Sequence, residues 1–164
     1  MTAPSAFGTL LYFEDDAAMA SMIMDFLAEQ GYRVEHFAEF PANGIEGLRE
    51  RLPEPPAVVL LDILLSGMNG YEICQLLREQ YLPETSPVIF ISGLMKNDDS
   101  LQAYKCGADD YLVKPARLEE LAVKLANYRA AAERCQIASE QMEIVCRMAF
   151  AAMATSSELG EILR

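Results

Sequence analysis

The chain has 164 residues, is 52% hydrophobic and carries a formal charge of −12. Its length fits one ordinary domain with a segment to spare. The negative charge argues against nucleic acid as a partner of this chain, because phosphate binding needs clustered Lys and Arg. Two explanations of the charge are open at this point, namely simple solubility and a local acidic site for a cation.

The sequence shows no membrane-span or signal-peptide pattern and no histidine or cysteine motif for a metal site. There is no apolar run of about 18 residues, so no membrane span is predicted, and MTAPSAFG lacks the features of a signal peptide. The single histidine, His36, cannot form a His-rich metal site and is predicted to be a bystander at a strand end. The four cysteines contain no CxxC pair, which points away from zinc and disulfides and predicts reduced, cytoplasmic thiols: Cys74, Cys106, Cys135 and Cys146.

Roughly the first 115 residues alternate between strand-like and helix-like patterns. In chain order the predicted strands are TLLYF, YRVEHF, AVVLLDI, PVIFIS and DDYLV. The predicted helices between and after them are AAMASMIMDFLAEQ, ANGIEGLRERL, NGYEICQLLREQ, DDSLQAYKCG and ARLEELAVKLANY. Five successive βα units predict an α/β fold with a parallel sheet covered by helices on both faces.

A long helix is predicted from about Arg117 to Met153, which contains no Pro or Gly. Two apolar stripes with 3-4 spacing run along it, one residue out of phase, and predict a stammer near Cys135. At about 50 Å such a helix needs a partner helix or must fold back. The stripes are Leu118, Leu121, Leu125, Tyr128, Ala132 and Cys135, then Ala138, Met142, Val145, Ala149 and Ala152.

A break in that helix is predicted at Ser156 or Ser157, either of which could cap a new short helix carrying Leu159, Ile162 and Leu163. This helix would stop at the last residue. We therefore expect a further output region beyond the sequence given.

Polar residues gather where the predicted strands end. In an open parallel sheet, ligands bind outside the carboxyl ends of the strands, at the point where the strand order reverses. If the first and third strands are neighbours, Asp15 and Asp62 share one pocket. The strand-end residues are Glu14, Asp15 and Asp16 after the first strand, Asp62 after the third, Ser92 in the fourth, and Lys114 and Pro115 after the fifth.

Crowded carboxylates repel one another and raise one another's pKa unless a cation lies between them. Because the available ligands are oxygens, the expected metal is Mg²⁺, or Mn²⁺ as a substitute. A carboxylate in such a site can attack a phosphoryl group and form an aspartyl phosphate. Asp62 is the candidate nucleophile, Lys114 the cation and Ser92 the hydroxyl that spread the phosphoryl charge.

Four stretches, in this order and spacing, resemble the receiver domain of two-component response regulators: YFEDD, VVLLDILLSGMNGYEICQLLR, PVIFISG and GADDYLVKPARLEEL. The resemblance covers about Leu10 to Tyr128. It implies a doubly wound, flavodoxin-like five-stranded sheet in the order 2-1-3-4-5. It places a receiver domain at 7–130 and a helical or coiled-coil extension at 131–164.

The resemblance also implies roles for individual residues. Asp62 becomes the phosphoacceptor, and Lys114 bridges to the phosphoryl group beside a cis bond to Pro115. Ser92 and Tyr111 become the switch residues that reshape the face of the fourth helix, fifth strand and fifth helix. The implied Mg²⁺ ligands are Asp15 and Asp62 directly, Glu14 through water, and the backbone carbonyl of Leu64.

Three departures from the family pattern stand out. Ser66 replaces the usual proline, so a looser loop is expected there. Asp16 is an extra acid that falls where the first helix needs an N-cap. Leu64 and Leu94 flank the pocket where many receivers carry polar side chains, and neither can orient an attacking water. Slow loss of the phosphoryl group is therefore expected. A rapid rate of self-dephosphorylation that is the same in Leu94→Glu would count against this expectation.

The expected function is a cytoplasmic signalling switch, not a metabolic enzyme. It would take a phosphoryl group from a histidine kinase or phosphotransfer protein and change its association, as a homodimer through the C-terminal helix or the switch face. No nucleic acid or membrane contact by this chain is expected. One alternative is a degenerate receiver that acts only as an interaction module. The other is an aspartate-nucleophile phosphohydrolase, an enzyme class that needs a second acid two residues after the nucleophile, where this chain has Leu64.

Overall fold

A computed structural model describes residues 7–82, 86–93 and 97–162, with side chains between 97 and 162 described for 101–149. The chain forms two compact units, Met1–Ala126 and Asn127–Arg164. The strands are β1 Thr9–Phe13, β2 Arg33–Phe37, β3 Val58–Leu61, β4 Val88–Ser92 and β5 Asp110–Val113. The helices are α1 Ala17–Glu29, α2 Ile45–Arg51, α3 Gly70–Leu76, α4 Asn97–Lys105 and α5 Leu118–Ile162.

The five strands form one parallel sheet in the order β2-β1-β3-β4-β5, which confirms the predicted fold. β3 and β4 are apolar along almost their whole length and are buried on both faces, as central strands of a parallel sheet must be. β1 pairs with β3 so that Phe13 lies opposite Leu61. The residues that follow these two strands therefore leave the sheet at the same edge.

Local sequence signals set the ends of the first and third helices. Asp16 caps α1, since its Oδ1 accepts the backbone N–H groups of Ala18 at 2.9 Å and Met19 at 3.0 Å, which confirms the predicted N-cap. These two hydrogen bonds lower the pKa of the Asp16 carboxyl. Asn69 and Glu72 form a reciprocal capping box at the start of α3. Both caps follow segments that leave the carboxyl edge of the sheet, so they fix how the site loops enter their helices.

The segment NGYEICQLLREQ was predicted to be one helix, but the structure divides it. It is α-helical over Gly70–Leu76 and widens into a π-helical turn over Leu77–Tyr81, closed by a 2.5 Å hydrogen bond from the Leu82 N–H to the Leu77 carbonyl. Leu77 and Leu82 are both buried. The wider turn lets both side chains reach the core, which outweighs the less favourable hydrogen-bond geometry.

Arg78, in the same turn, is tied to three neighbouring segments. It donates to the carbonyl oxygens of Ser86 at 2.6 Å and Gly107 at 2.9 Å and forms an ion pair with Asp109. These partners lie before β4 and between α4 and β5. Arg78 therefore fastens the π-helical turn to the edge of the sheet opposite the site.

The last helix is longer than the sequence pattern indicated. The predicted break at Ser156 or Ser157 is wrong, because α5 continues through both residues to Ile162. The preceding segment is rich in Ala and Met, which are good helix formers, and a serine caps a helix only where the backbone leaves helical geometry. Leu163 lies outside the described residues.

Within the second unit, large apolar side chains of α5 are exposed. Ile137, Met142, Val145 and Met148 are each 55% to 68% exposed. In the described residues, no helix is both long enough and apolar enough to cross a membrane.

Candidate functional site

The acidic pocket lies at the carboxyl edge of the sheet, where β1 and β3 end side by side. The Asp62 N–H donates to the Phe13 carbonyl at 3.0 Å and the Glu14 N–H to the Phe37 carbonyl at 3.1 Å. The ladder thus continues one residue beyond each strand and fixes the backbone of both acids. Glu14 is 1% exposed and Asp62 5% exposed, whereas Asp15 is exposed to solvent.

Lys114 joins the two buried acids. Its Nζ lies 2.6 Å from Glu14 Oε2 and 2.7 Å from Asp62 Oδ2. Burial alone would lower the pKa of Lys114, but the hydrogen bonds to Asp62 and Glu14 outweigh burial and raise it. Burial raises the pKa of Glu14 despite the opposing effect of Lys114. The lysine therefore stays charged between two carboxylates that would otherwise repel each other.

The loop after β3 is fastened to Asp15. Ser66 donates twice to Asp15 Oδ2, from its backbone N–H at 3.1 Å and from its hydroxyl at 2.9 Å. These two hydrogen bonds tie the loop to Asp15 at the position where the sequence predicts a looser loop. The proline that Ser66 replaces has no N–H and no hydroxyl, so it could make neither hydrogen bond.

The three acids fit a hard divalent cation. One carboxylate oxygen each from Glu14, Asp15 and Asp62 lies within 4.8 Å of the other two. All three donors are oxygens, which Mg²⁺ and Mn²⁺ prefer, and Mg²⁺ keeps several waters where protein ligands are few. The exposed position of Asp15 leaves one side of the cluster open to solvent. A hydrated ion could therefore approach the cluster from that side.

The remaining predicted site residues lie around the same edge. The Leu64 N–H donates to Asp62 Oδ1 at 3.2 Å, and the Leu64 side chain is 60% exposed. Ser92 is fully buried at the end of β4, and its carbonyl accepts the Lys114 N–H at 2.8 Å. The Lys114–Pro115 bond is cis, as the resemblance implied.

Tyr111 lies one strand further along. It is half-buried on β5, paired in register with Phe90, and packs against the core. Leu94 lies outside the described residues.

Three residues that support the site were missed in the sequence. Gly70 begins α3 directly against Asp62, where a methyl group would overlap the Asp62 carbonyl oxygen. The Tyr12 hydroxyl donates to Glu14 Oε2 at 3.4 Å, and burial followed by the Glu14 charge raises the Tyr12 pKa. His36 lies near the end of β2, as predicted, and its ring nitrogen Nε2 lies 2.8 Å from the Glu14 backbone carbonyl. Only Gly70 left a sequence signal, the Asn-Gly pair at the cap of α3.

A parallel sheet in the order 2-1-3-4-5 defines the flavodoxin-like doubly wound fold, in which ligands bind outside the carboxyl ends of the strands, where the acidic pocket lies here. Within that class, the model of the response regulator receiver domain matches residues 10–126. The chain belongs to this family.

Relatives and solved structures agree with this assignment. The response regulator ArlR of Staphylococcus epidermidis is 34% identical over 125 residues, which are 76% of this chain and 52% of that protein. The signal receiver domain of a histidine kinase from Syntrophus aciditrophicus is 31% identical with a TM-score of 0.65, covering 77% of this chain and 93% of that one. A CheY-like receiver domain protein from Methanospirillum hungatei is 25% identical with a TM-score of 0.66, covering 79% and 98%. The chain spans about half the length of the curated relatives it matches.

Proposed function

We propose that this chain is a cytoplasmic receiver that accepts a phosphoryl group on Asp62 from a histidine kinase or phosphotransfer protein. The observation that carries the proposal is the contact of Lys114 with both Asp62 and Glu14 at 2.6–2.7 Å, with Asp15 in the same cluster. An arrangement that only stabilised the fold would have no need for a third, exposed carboxylate at the same point.

The residues divide the transfer among themselves. A carboxylate oxygen of Asp62 forms the new bond to phosphorus while the bond from phosphorus to the donor's imidazole nitrogen breaks, and the donor keeps that electron pair. Lys114 is held where its ammonium group can stabilise negative charge first on the Asp62 carboxylate and then on the phosphoryl oxygens. Mg²⁺, held by Asp15, Asp62 and the Leu64 carbonyl with Glu14 through water, would neutralise the remaining charge on those oxygens.

The proposed switch connects the site to the edge of the sheet. The Ser92 hydroxyl would donate to a phosphoryl oxygen, and Tyr111, on the neighbouring strand, would follow by turning inward. Ser92 is buried at the end of β4, and Tyr111 is half-buried on the neighbouring strand β5, in register with Phe90. The surface that changes is formed by α4, β5 and the start of α5.

Incubation of the full chain with Mg²⁺ and a small acyl phosphate tests the proposed function. We expect a gain in mass of one phosphoryl group that persists on the timescale of the measurement. Continuous release of inorganic phosphate with no accumulated adduct would favour the phosphohydrolase. No reaction with the acyl phosphate or with a phosphorylated histidine kinase would favour the degenerate receiver.

Ser66 is predicted to support metal binding through Asp15. Ser66→Ala removes the hydroxyl hydrogen bond to Asp15 but keeps the backbone one, and loss of such a support typically weakens metal affinity about tenfold or more. Titration of Mg²⁺ by calorimetry measures the change. Ser21→Ala, at an exposed position of α1, is the control, and equal affinities for the two variants would contradict the prediction.

The exposed Leu64 side chain predicts a long-lived phosphoryl group. Leucine has no hydrogen-bonding group that could orient a water toward Asp62, so hydrolysis lacks a positioned nucleophile. Leu64→Asn is expected to speed loss of the phosphoryl group roughly tenfold or more, as followed by intact mass after removal of the donor. A wild-type half-life as short as that of the variant would show that Leu64 does not limit hydrolysis.

The proposal includes a second copy of the chain as partner, through α5 or through the face of α4, β5 and α5. The exposed apolar side chains of the second unit support the first of these surfaces, because pairing of two helices would remove them from water. Sedimentation with and without residues 132–164, before and after phosphorylation, separates the surfaces. Dimers that survive the truncation would assign pairing to the α4, β5 and α5 face.

A further inference from the structure

Cys74 and Cys106 form a pair of buried thiols away from the acidic pocket. Cys74 lies in α3 and is fully buried, while Cys106 follows the last residue of α4 and is 7% exposed. The Cys74 thiol donates to the Cys106 backbone carbonyl at 3.3 Å, and the Cys106 thiol donates to the Ala103 carbonyl at 2.9 Å. The two side chains therefore meet between α3 and the end of α4.

Only one of the two cysteines lines the surface cavity next to them. A surface cavity of about 270 Å³ lies between α3 and α4, and its lining includes Gln75, Gln102, Lys105 and Cys106. Cys74 is not part of this lining and is fully buried. A small molecule that enters the cavity therefore contacts Cys106 and not Cys74.

The surroundings also make the two thiols unequal. The neighbouring Cys74 thiol is the main cause that lowers the pKa of the Cys106 thiol, and the Ala108 N–H and the Arg78 charge act in the same direction against burial. The neighbouring Cys106 thiol, followed by burial, raises the pKa of Cys74. Thiolate character together with access to solvent is what selects a cysteine for oxidation.

We propose that Cys106 and Cys74 are an oxidation site for small hydroperoxides, with Cys106 as the attacking thiol and Cys74 as the resolving one. The Cys106 sulfur attacks one peroxide oxygen, the O–O bond breaks, and the leaving oxygen departs with the Cys106 proton, as water from hydrogen peroxide or as an alcohol from an organic hydroperoxide. The resulting sulfenic acid is attacked by the Cys74 sulfur, and its S–O bond breaks to release a water with the Cys74 proton. Two thiols are oxidised to one disulfide and one hydrogen peroxide is reduced to two waters.

The disulfide would join α3 to the residue that follows α4. It needs no phosphoryl group and no metal, so the proposal is independent of the function assigned to Asp62. The only other cysteines, Cys135 and Cys146, are exposed on α5 within the second unit and would react by a different route, between chains.

The test uses the full chain with Cys135→Ser and Cys146→Ser, which removes both exposed thiols and leaves the buried pair intact. Hydrogen peroxide is expected to lower the intact mass by two hydrogens, and non-reducing digestion is expected to yield linked peptides that contain Cys74 and Cys106. A dithiol reductant should restore the starting mass. Unmodified thiols under conditions that oxidise free glutathione, or a disulfide between two chains, would overturn the proposal.

Two further substitutions, each added to the chain with Cys135→Ser and Cys146→Ser, test which of the two thiols reacts first. With Cys74→Ala, Cys106 should stop at the sulfenic acid, which a cyclic 1,3-diketone traps. With Cys106→Ala, Cys74 should stay reduced, and its oxidation at the wild-type rate would overturn the assignment of the attacking thiol. Circular dichroism checks that both variants fold, and the mass measurement above needs neither of them.

Discussion

Replacement of Asp62 by asparagine is expected to reduce phosphoryl uptake to background. Asparagine has nearly the same shape and keeps an oxygen that can accept the Leu64 N–H, now 3.2 Å from Asp62 Oδ1. It has no carboxylate to attack phosphorus, and an amide oxygen is a poor nucleophile. The measurement is intact mass after incubation with Mg²⁺ and an acyl phosphate, and again after incubation with a phosphorylated histidine kinase.

Asp16→Asn is the matched control. It makes the same chemical change within the same acidic stretch, and asparagine is as good an N-cap as aspartate for α1. The control should take up phosphate at the wild-type rate. Phosphorylation of Asp62→Asn at another residue, or equal losses in the two variants, would contradict the assignment of Asp62 as the acceptor.

The fold could be predicted from the sequence because its signals are local and redundant. Apolar runs such as VVLL in β3 lack the alternation of an amphipathic strand and indicate a strand that is buried on both faces. They alternate with helices whose ends are marked in the sequence. Gly31 and Gly107 follow α1 and α4 with φ angles of 88° and 95°, which is the backbone shape that ends a helix. The strand order itself came from the resemblance to receivers, since spacing alone leaves several parallel orders open.

The principal acids of the site were also predictable, because their positions follow directly from where the strands end. The ladder between β1 and β3 brings Glu14 and Asp62 to one edge whatever their side chains are. The contacts of Ser66 and His36 with Asp15 and Glu14 were not predictable. They depend on how a loop folds over the edge and on which side chain of β2 faces it, and no short-range pattern encodes either.

The end of α5 and the π-helical turn are two features that the sequence pattern did not predict correctly. Serine was taken as a cap at Ser156 or Ser157, although capping residues also occur inside helices when nothing forces the backbone out. The turn at Leu77–Tyr81 depends on core packing and on Arg78, whose partners come later in the chain. Long-range packing decided the turn, which a sequence window does not contain, whereas local helix propensity carries α5 through both serines.

Replacement of Lys114 by methionine is expected to destabilise the fold by about 3 kcal/mol in the absence of metal. Methionine fills much of the same volume, so the loss is mainly electrostatic. Glu14 and Asp62 are both nearly buried and would face each other without the ammonium group that now lies 2.6–2.7 Å from each. Urea unfolding in the presence of a chelator measures the change in the free energy of unfolding. Phosphoryl uptake should also fall, because no ammonium group remains to stabilise the charge on the phosphoryl oxygens.

Lys124→Met is the matched control, since Lys124 forms an ion pair with Asp110 at 2.7 Å in which both side chains are 22% exposed. A partly exposed pair with a single carboxylate is worth about 1 kcal/mol or less. Mg²⁺ should recover part of the loss in Lys114→Met, because it supplies positive charge to the same carboxylates, and should leave Lys124→Met unchanged. Equal losses in the two variants, or a loss at Lys114 that Mg²⁺ does not alter, would mean that Lys114 and the metal do not act on one shared cluster of acids. The proposed transfer to Asp62 depends on that sharing, so this comparison tests the electrostatics of the mechanism without any phosphate present.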